Sequence, residues 1–291
     1  MWVSSIESEI AGQPSCWRQA AEQARVAASS LPRSGARVAV VGCGTSLYMA
    51  QAYAAMREAR GLGETDAFPA SEYPFRRYDA VVALSRSGTT TEVVDLVESL
   101  AAQSLPVVAI TADPTSPLAT VADEAVVVSY AAEESVVQTR FATSALALLR
   151  SALGEDLTPA ITDAEFALAA ELPGAVPRQV TFLGVGWSVG VAQEAALKCR
   201  EAAGMWAEAY PAMEYRHGPI SIADHDTLVW ALAPLPPGLD AQIAATGAQL
   251  VTTSLDPLAE LVRVQRFAVG AAVAAGRDPD RPRHLTYSVV L

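Results

Sequence analysis

Lysine occurs once in this chain of 291 residues, at Lys198, and cysteine three times, at Cys16, Cys43 and Cys199. An odd number of cysteines without CxxC spacing points away from a disulfide framework or a zinc site. It fits reduced thiols and a cytoplasmic location. Basic side chains are scarce overall. The 20 Lys+Arg against 32 Asp+Glu leave a net charge of −12, which argues against nucleic acid or an anionic membrane as a general partner. No uncharged apolar run is long enough to suggest a transmembrane helix, and residues 1–28, with Glu7, Glu9, Arg18 and Glu22, lack a signal pattern. Cofactor fingerprints are incomplete: Gly42-x-Gly44 follows a strand, but Leu47 stands where the third dinucleotide glycine would be, and no GK[ST] occurs. Neither a metal nor a cofactor is expected.

Apolar residues make up 51% of the chain and are evenly spread. Residues 4–30 read as helix interrupted at Gly12-Gln13-Pro14. Val-rich strands follow at Arg37–Val41, before Pro69, at Val81–Leu84, Leu105–Ile110 and Ala125–Val128. Helical patterns separate them, at about Leu47–Arg60 and Glu92–Leu100, and a long helix is expected over Ser135–Leu153. Near-continuous apolar strands alternating with helices imply an α/β fold with a parallel sheet covered on both faces. After a Pro/Gly-bearing segment, 154–177, the pattern restarts. Val180–Ser188 repeats Val38–Ser46 at an offset of 142, and Ala50, Gln51 and Ala54 match Ala192, Gln193 and Ala196. Two similar doubly wound, flavodoxin-like domains are therefore expected, at 1–157 and 158–291. Further strands near Leu228–Leu232 and Gln249–Thr253 and a helix over Leu258–Ala275 complete the second.

The chemistry concentrates in a few stretches. Ser85-Arg86-Ser87-Gly88-Thr89-Thr90 joins a buried strand to an amphipathic helix. It combines hydroxyls, free backbone N–H groups and a helix N-terminus, as a phosphate cradle would. A Ser/Thr-rich turn with an N-cap fits the loop, taken alone, equally well. In a doubly wound sheet the Gly44-Thr45-Ser46 turn would be its neighbour at the switch point. On the helix after Gly186, Glu194, Lys198 and Glu201 share one stripe, with mostly apolar residues around them. His217 stands before the Gly218-Pro219 break. His225 and His284 read as surface residues.

Taken together, Glu9-Ile10-x-x-Gln13-Pro14, Cys43–Ser46, Ser85–Thr90, Glu194-x-x-Leu197-Lys198-x-x-Glu201, Arg216–Pro219 and Asp280-x-Pro282-Arg283-x-Leu285 resemble the tandem sugar-isomerase (SIS) domain proteins. That family includes the isomerase half of glucosamine-6-phosphate synthases and the AgaS-type and glucosamine-6-phosphate deaminase-type enzymes. The resemblance spans nearly the whole chain, without a glutaminase domain. It implies that Ser46, Ser85, Arg86, Ser87 and Thr90, with Gly44 and Thr45, hold a sugar phosphate. It implies that Glu201 moves a proton between C1 and C2 with Glu194 and Lys198 in support. It also implies that His217 assists ring opening from across a homodimer interface. Two positions depart from the synthases. Tyr287 aligns with their imine-forming lysine, and Gln138 with a sugar-contacting serine. With Lys198 the only lysine, the expected activity is isomerisation of a hexose or amino-sugar 6-phosphate, with or without deamination, rather than the synthase reaction. A fructosamine-6-phosphate deglycase is the enzymatic alternative, and a non-catalytic sugar-phosphate sensor the alternative of another class.

Overall fold

A computed structural model describes residues 4–291. The chain divides into two compact units. The first comprises Gly12–Leu157 and Thr286–Leu291, and the second residues 4–11 and Thr158–Leu285. Both are α/β, and all strand pairs in each sheet are parallel.

In the first unit the chain runs through α2 (Gln13–Ala27), β1 (Val38–Gly42), α3 (Thr45–Ala59), β2 (Thr65–Pro69), β3 (Ala80–Leu84) and α4 (Thr91–Ala101). It continues through β4 (Val107–Thr111), α5 (Pro117–Val121), β5 (Glu124–Val127) and α6 (Arg140–Ala152); α1 (Ser5–Ala11), which precedes α2, belongs to the second unit. The sheet order is β2-β1-β3-β4-β5. Every residue of β1 and β4 is buried, as Val-rich strands covered on both faces require. Between β1 and β3 the order reverses, so the loops that leave these strands meet at the carboxyl edge. Val41 pairs with Ala83, which sets the two strand ends level. Ala39, Val41, Val81, Ala83, Val93, Val97 and Leu118 form part of the core on one face.

The second unit continues after α1 with α7 (Thr158–Ala169), β6 (Gln179–Gly184), α8 (Ser188–Ala203), β7 (Trp206–Pro211) and β8 (Thr227–Ala231). It ends with α9 (Leu239–Thr246), β9 (Gln249–Val251) and α10 (Pro257–Ala274). Its sheet order is β7-β6-β8-β9. Asp280 accepts hydrogen bonds from Ser5 N at 3.0 Å and Ile6 N at 2.8 Å, and so satisfies the start of α1. Leu183, Val229, Leu239 and Ile243 belong to its core.

The structure corrects three readings of the sequence. The helix expected from Ser135 begins only at Arg140, because the Glu133 carboxylate accepts from Thr139 N and Arg140 N, each at 2.6 Å, and stops the helix there. Strand β7 was not anticipated, since Trp206-Ala-Glu-Ala-Tyr-Pro211 lies at a sheet edge and is only partly covered. Helix α9 was missed because its eight residues bury only Leu239 and Ile243.

Gly42 and Gly184 end β1 and β6 in the same way. A Cβ at Gly42 would lie 2.8 Å from Ser46, and one at Gly184 2.4 Å from the Ser188 carbonyl oxygen. Gly184→Ala is therefore expected to cost about 1–3 kcal/mol of stability through overpacking. Urea denaturation checks this, with a lower midpoint and an unchanged slope as the expected result.

Candidate active site

In the first unit, the β3–α4 loop is built by its own hydroxyls. Ser85 Oγ accepts from Gly88 N at 3.2 Å and lies 3.4 Å from Thr90 Oγ1. Ser87 Oγ accepts from Thr89 N at 3.2 Å and from Thr89 Oγ1 at 2.9 Å. Gly88 has φ 62, and a Cβ there would meet Ser116 Oγ at 2.2 Å, so this turn needs glycine. Helix α4 starts at Thr91, with its N-terminus at the loop. Ser46, in the first turn of α3, lines a small cavity with Cys43, Ser85, Ser87, Thr90 and Gln138. The structure thus brings these predicted residues together. Gly44 has φ 54 and precedes Thr45, the first residue of α3. Burial pushes the Cys43 thiol up, which keeps it from acting as a thiolate.

The C-terminal tail occupies this loop. Ser288 Oγ accepts from Ser87 Oγ at 3.1 Å and from Thr89 Oγ1 at 3.0 Å, and lies 3.4 Å from Thr90 Oγ1. Thr91 N donates to Val289 O at 3.1 Å, and Leu291 N to Thr91 Oγ1 at 2.9 Å. Tail oxygens therefore take the donors an anion would use. The cavity left beside them measures about 20 Å³, close to the room one water needs and too little for a phosphate.

Arg86 is only 2% exposed. Its Nη1 donates to Ser135 O at 2.9 Å and pairs with Glu133 at 3.4 Å, while Nη2 donates to Val136 O at 3.1 Å and Tyr287 O at 2.9 Å. Tyr287 stacks on the guanidinium at 3.9 Å, and its hydroxyl donates to Glu133 O at 3.1 Å. Both Nη groups are committed to protein acceptors. Arg86 thereby ties the loop to the start of α6 and to the tail. Glu133 and Ser288 escaped the sequence reading, and Thr89 was read only as one residue of the hydroxyl loop, with no role of its own. The only signal for Glu133 was an acidic pair, Glu133-Glu134, about two turns before an apolar helix.

In the second unit, α8 holds Glu194, Lys198 and Glu201 on one stripe. Lys198 Nζ lies 3.2 Å from Glu194 Oε1 and 2.5 Å from Glu201 Oε2. Glu194 and Lys198 are buried, whereas the Glu201 side chain keeps 20% exposure and lines a cavity. Burial works to lower the Lys198 ammonium, but the two carboxylates outweigh it and hold it above its usual range. Burial also drives the neighbouring Cys199 thiol up to about 12. Ser188, the repeat counterpart of Ser46, spends its hydroxyl on its own turn, accepting from Val185 N at 2.8 Å and donating to Val185 O at 2.9 Å. His217 is exposed at the end of a short 3-10 turn, Glu214–Arg216, and no hydrogen bond joins its ring to Glu194, Lys198 or Glu201. His225 and His284 are also exposed.

Among the described residues, no cluster of three or more His, Cys, Asp or Glu is arranged to hold a metal, and no helix is long and apolar enough to cross a membrane.

If the loop holds oxygen acceptors as this geometry indicates, Ser288 competes with a bound anion. Ser288→Ala is expected to tighten binding of inorganic phosphate by roughly three- to tenfold, the worth of about one hydrogen bond. Titration calorimetry reads this directly. Weaker binding would instead make Ser288 a donor to the anion.

Residues 31–153, which lie within the first unit, match the family model described as SIS domain. A glutamine–fructose-6-phosphate aminotransferase (isomerizing) of Sulfolobus acidocaldarius is 28% identical over 299 residues, covering 89% of this chain and 51% of that protein. The chain thus spans about half the length of the curated relatives it matches. A protein of the same name from Legionella pneumophila is 35% identical over 138 residues, 38% of this chain and 23% of that protein. Glucosamine-6-phosphate deaminase of Thermotoga maritima has a similar structure, with a TM-score of 0.83 and 26% identity over 99% of this chain and 100% of that one. Tagatose-6-phosphate ketose/aldose isomerase of Escherichia coli shares the fold, with a TM-score of 0.80 and 20% identity, covering 99% and 96% of the two chains.

Proposed function

We propose that the chain is a phosphosugar isomerase acting on a hexose or amino-sugar 6-phosphate, with or without release of ammonia. The observation that carries this reading is the cluster of Ser46, Ser85, Ser87, Thr89 and Thr90 hydroxyls at a sheet switch point, beside the N-terminus of α4. Hydroxyl donors and a helix dipole suit a phosphoryl group, and binding it remotely from the reacting carbons supplies orientation. Glu201 takes the proton from C2 and returns it to C1 through an enediol or enediolamine. The electron pair of the broken C2–H bond forms the C1=C2 bond while the carbonyl pair moves onto O1, which takes up a proton. Loss of a proton from the C2 hydroxyl or amine then forms C2=O or C2=N as C1 takes the proton back, and water hydrolyses the C2 imine where ammonia is released. Lys198 orients Glu201, and Glu194 holds Lys198 in place.

A protein-derived imine does not fit this arrangement. The only lysine is buried between two carboxylates that keep it as an ammonium, a form with no lone pair for attack on a carbonyl. That favours isomerisation or deamination over an aminotransferase reaction. The similar architecture of the two units, with β1, β2, β3 and β4 in the same order as β6, β7, β8 and β9, supports the proposal that they are tandem copies of one domain. We also propose a homodimer in which His217 of a second copy assists ring opening. His217 is exposed and stands in sequence between the exposed apolar residues Met213 and Ile222, as an interface residue would.

Incubation with glucosamine 6-phosphate and fructose 6-phosphate in D2O tests the reaction. Wild type should incorporate deuterium at C1 of the ketose and at C2 of the aldose, and Glu201→Gln should slow this by about a hundredfold or more. Ser87→Ala should raise KM with less effect on kcat. Saturable binding without exchange would make the chain a sensor, and exchange that survives Glu201→Gln would remove that residue from its role. Light scattering at micromolar concentration should return twice the chain mass, and a monomer would contradict the dimer.

A further inference from the structure

The cations of this acidic chain are unevenly placed. Arg200, Arg277, Arg281 and Arg283 line one cavity of about 370 Å³ in the second unit, together with Glu201 and Asp278. The chain has 20 Lys+Arg in all and a net charge of −12, so four arginines around one cavity are a local reversal of its field.

Ordinary structural duties do not use up this charge. Helices α8 and α10 both end at the cavity, at Gly204 with φ 60 and Gly276 with φ 66. Each helix end carries about half a negative charge, so the two together answer roughly one guanidinium. Arg200 donates through Nη1 to Ala207 O at 2.7 Å. Glu201 is already answered by Lys198 at 2.5 Å, and Asp278 Oδ1 accepts from Asp280 N at 3.0 Å. Among the described residues, no ion pair or side-chain hydrogen bond engages Arg277, Arg281 or Arg283. The cavity is also shaped around one of them. A Cβ at Gly204 would stand 2.1 Å from Arg277 Nη1, so the guanidinium lies in space that only a glycine leaves open.

We propose that this cavity is a binding site for a small polyanion carrying adjacent phosphate or carboxylate oxygens, with Arg277, Arg281 and Arg283 as its ligands. Guanidinium forks match such paired oxygens, and the volume falls in the lower part of the range of about 300–1,000 Å³ found for small-molecule sites. The site differs in chemistry from the hydroxyl loop of the first unit, which offers neutral hydroxyls and backbone amides. It does not depend on the isomerase reading. Because Glu201 forms part of its wall, an anion held there lies beside the carboxylate assigned to proton transfer.

Titration calorimetry at fixed ionic strength tests the site, with pyrophosphate and citrate as probes on the full chain. At least one probe should saturate on wild type, and which one does identifies phosphate or carboxylate as the source. The double variant Arg281→Ala/Arg283→Ala should bind that probe at least tenfold more weakly. Ser87→Ala should stay within twofold of wild type, which separates this site from the hydroxyl loop. Arg281→Lys/Arg283→Lys keeps the charge but loses the fork, so it should fall between wild type and the alanine variant. It decides the matter if the alanine variant fails to fold, as judged by its thermal transition without anion. The proposal is overturned if neither probe binds at millimolar concentration. It is equally overturned if the arginine variants bind as wild type does, or if only Ser87→Ala abolishes binding.

Discussion

Burying the guanidinium of Arg86 is the constraint from which the first unit takes its functional shape. A charge removed from water must be met by acceptors, and breaking such a pair by removing one partner costs about 3–5 kcal/mol. Here the acceptors come from two stretches far apart in sequence: residues 133–136, which supply the Glu133 carboxylate and the Ser135 and Val136 carbonyls, and the tail, which supplies the Tyr287 carbonyl and ring. Satisfying one side chain therefore fixes the β3–α4 loop, delays the start of α6 and lays the tail across the loop. The hydroxyls of Ser85, Ser87, Thr89 and Thr90 inherit their positions from that arrangement. In the proposed function Arg86 acts through the loop it holds, because its Nη donors are already engaged.

The second unit solves the same problem with its single lysine. Lys198 is buried between Glu194 and Glu201, so two carboxylates share one ammonium. Glu194 is buried with the lysine, whereas Glu201 reaches a cavity. A carboxylate oriented by a fixed cation and open on one side is suited to moving a proton. The same cation, held above its usual range, is unsuited to forming an imine.

The architecture was legible because the strands are short, Val-rich and buried on both faces, which leaves a strong periodic signal. The repeat between Val38–Ser46 and Val180–Ser188 was legible for a steric reason. At both positions a glycine must let a strand end pass against a serine at the start of a helix. Edge strand β7 and short helix α9 bury too little to mark the sequence. The stripe of Glu194, Lys198 and Glu201 could be read because helical spacing alone places them together. Glu133 and Ser288 could not, since their partners lie 47 and about 200 residues away, and only the folded chain brings them to Arg86 and Ser87. Likewise, the four arginines around one cavity come from two chain segments, Arg200 and Arg277–Arg283, that no local pattern connects.

The central claim is that the Ser85–Thr90 loop grips a phosphoryl group. Following backbone amide resonances while glucosamine 6-phosphate, and separately glucosamine, is added tests it most directly. The account predicts saturable shifts of the Ser87, Gly88, Thr89 and Thr91 amides with the phosphorylated sugar and none with the unphosphorylated one. Binding of the sugar phosphate with those four amides unmoved, or equal shifts with both sugars, would contradict it.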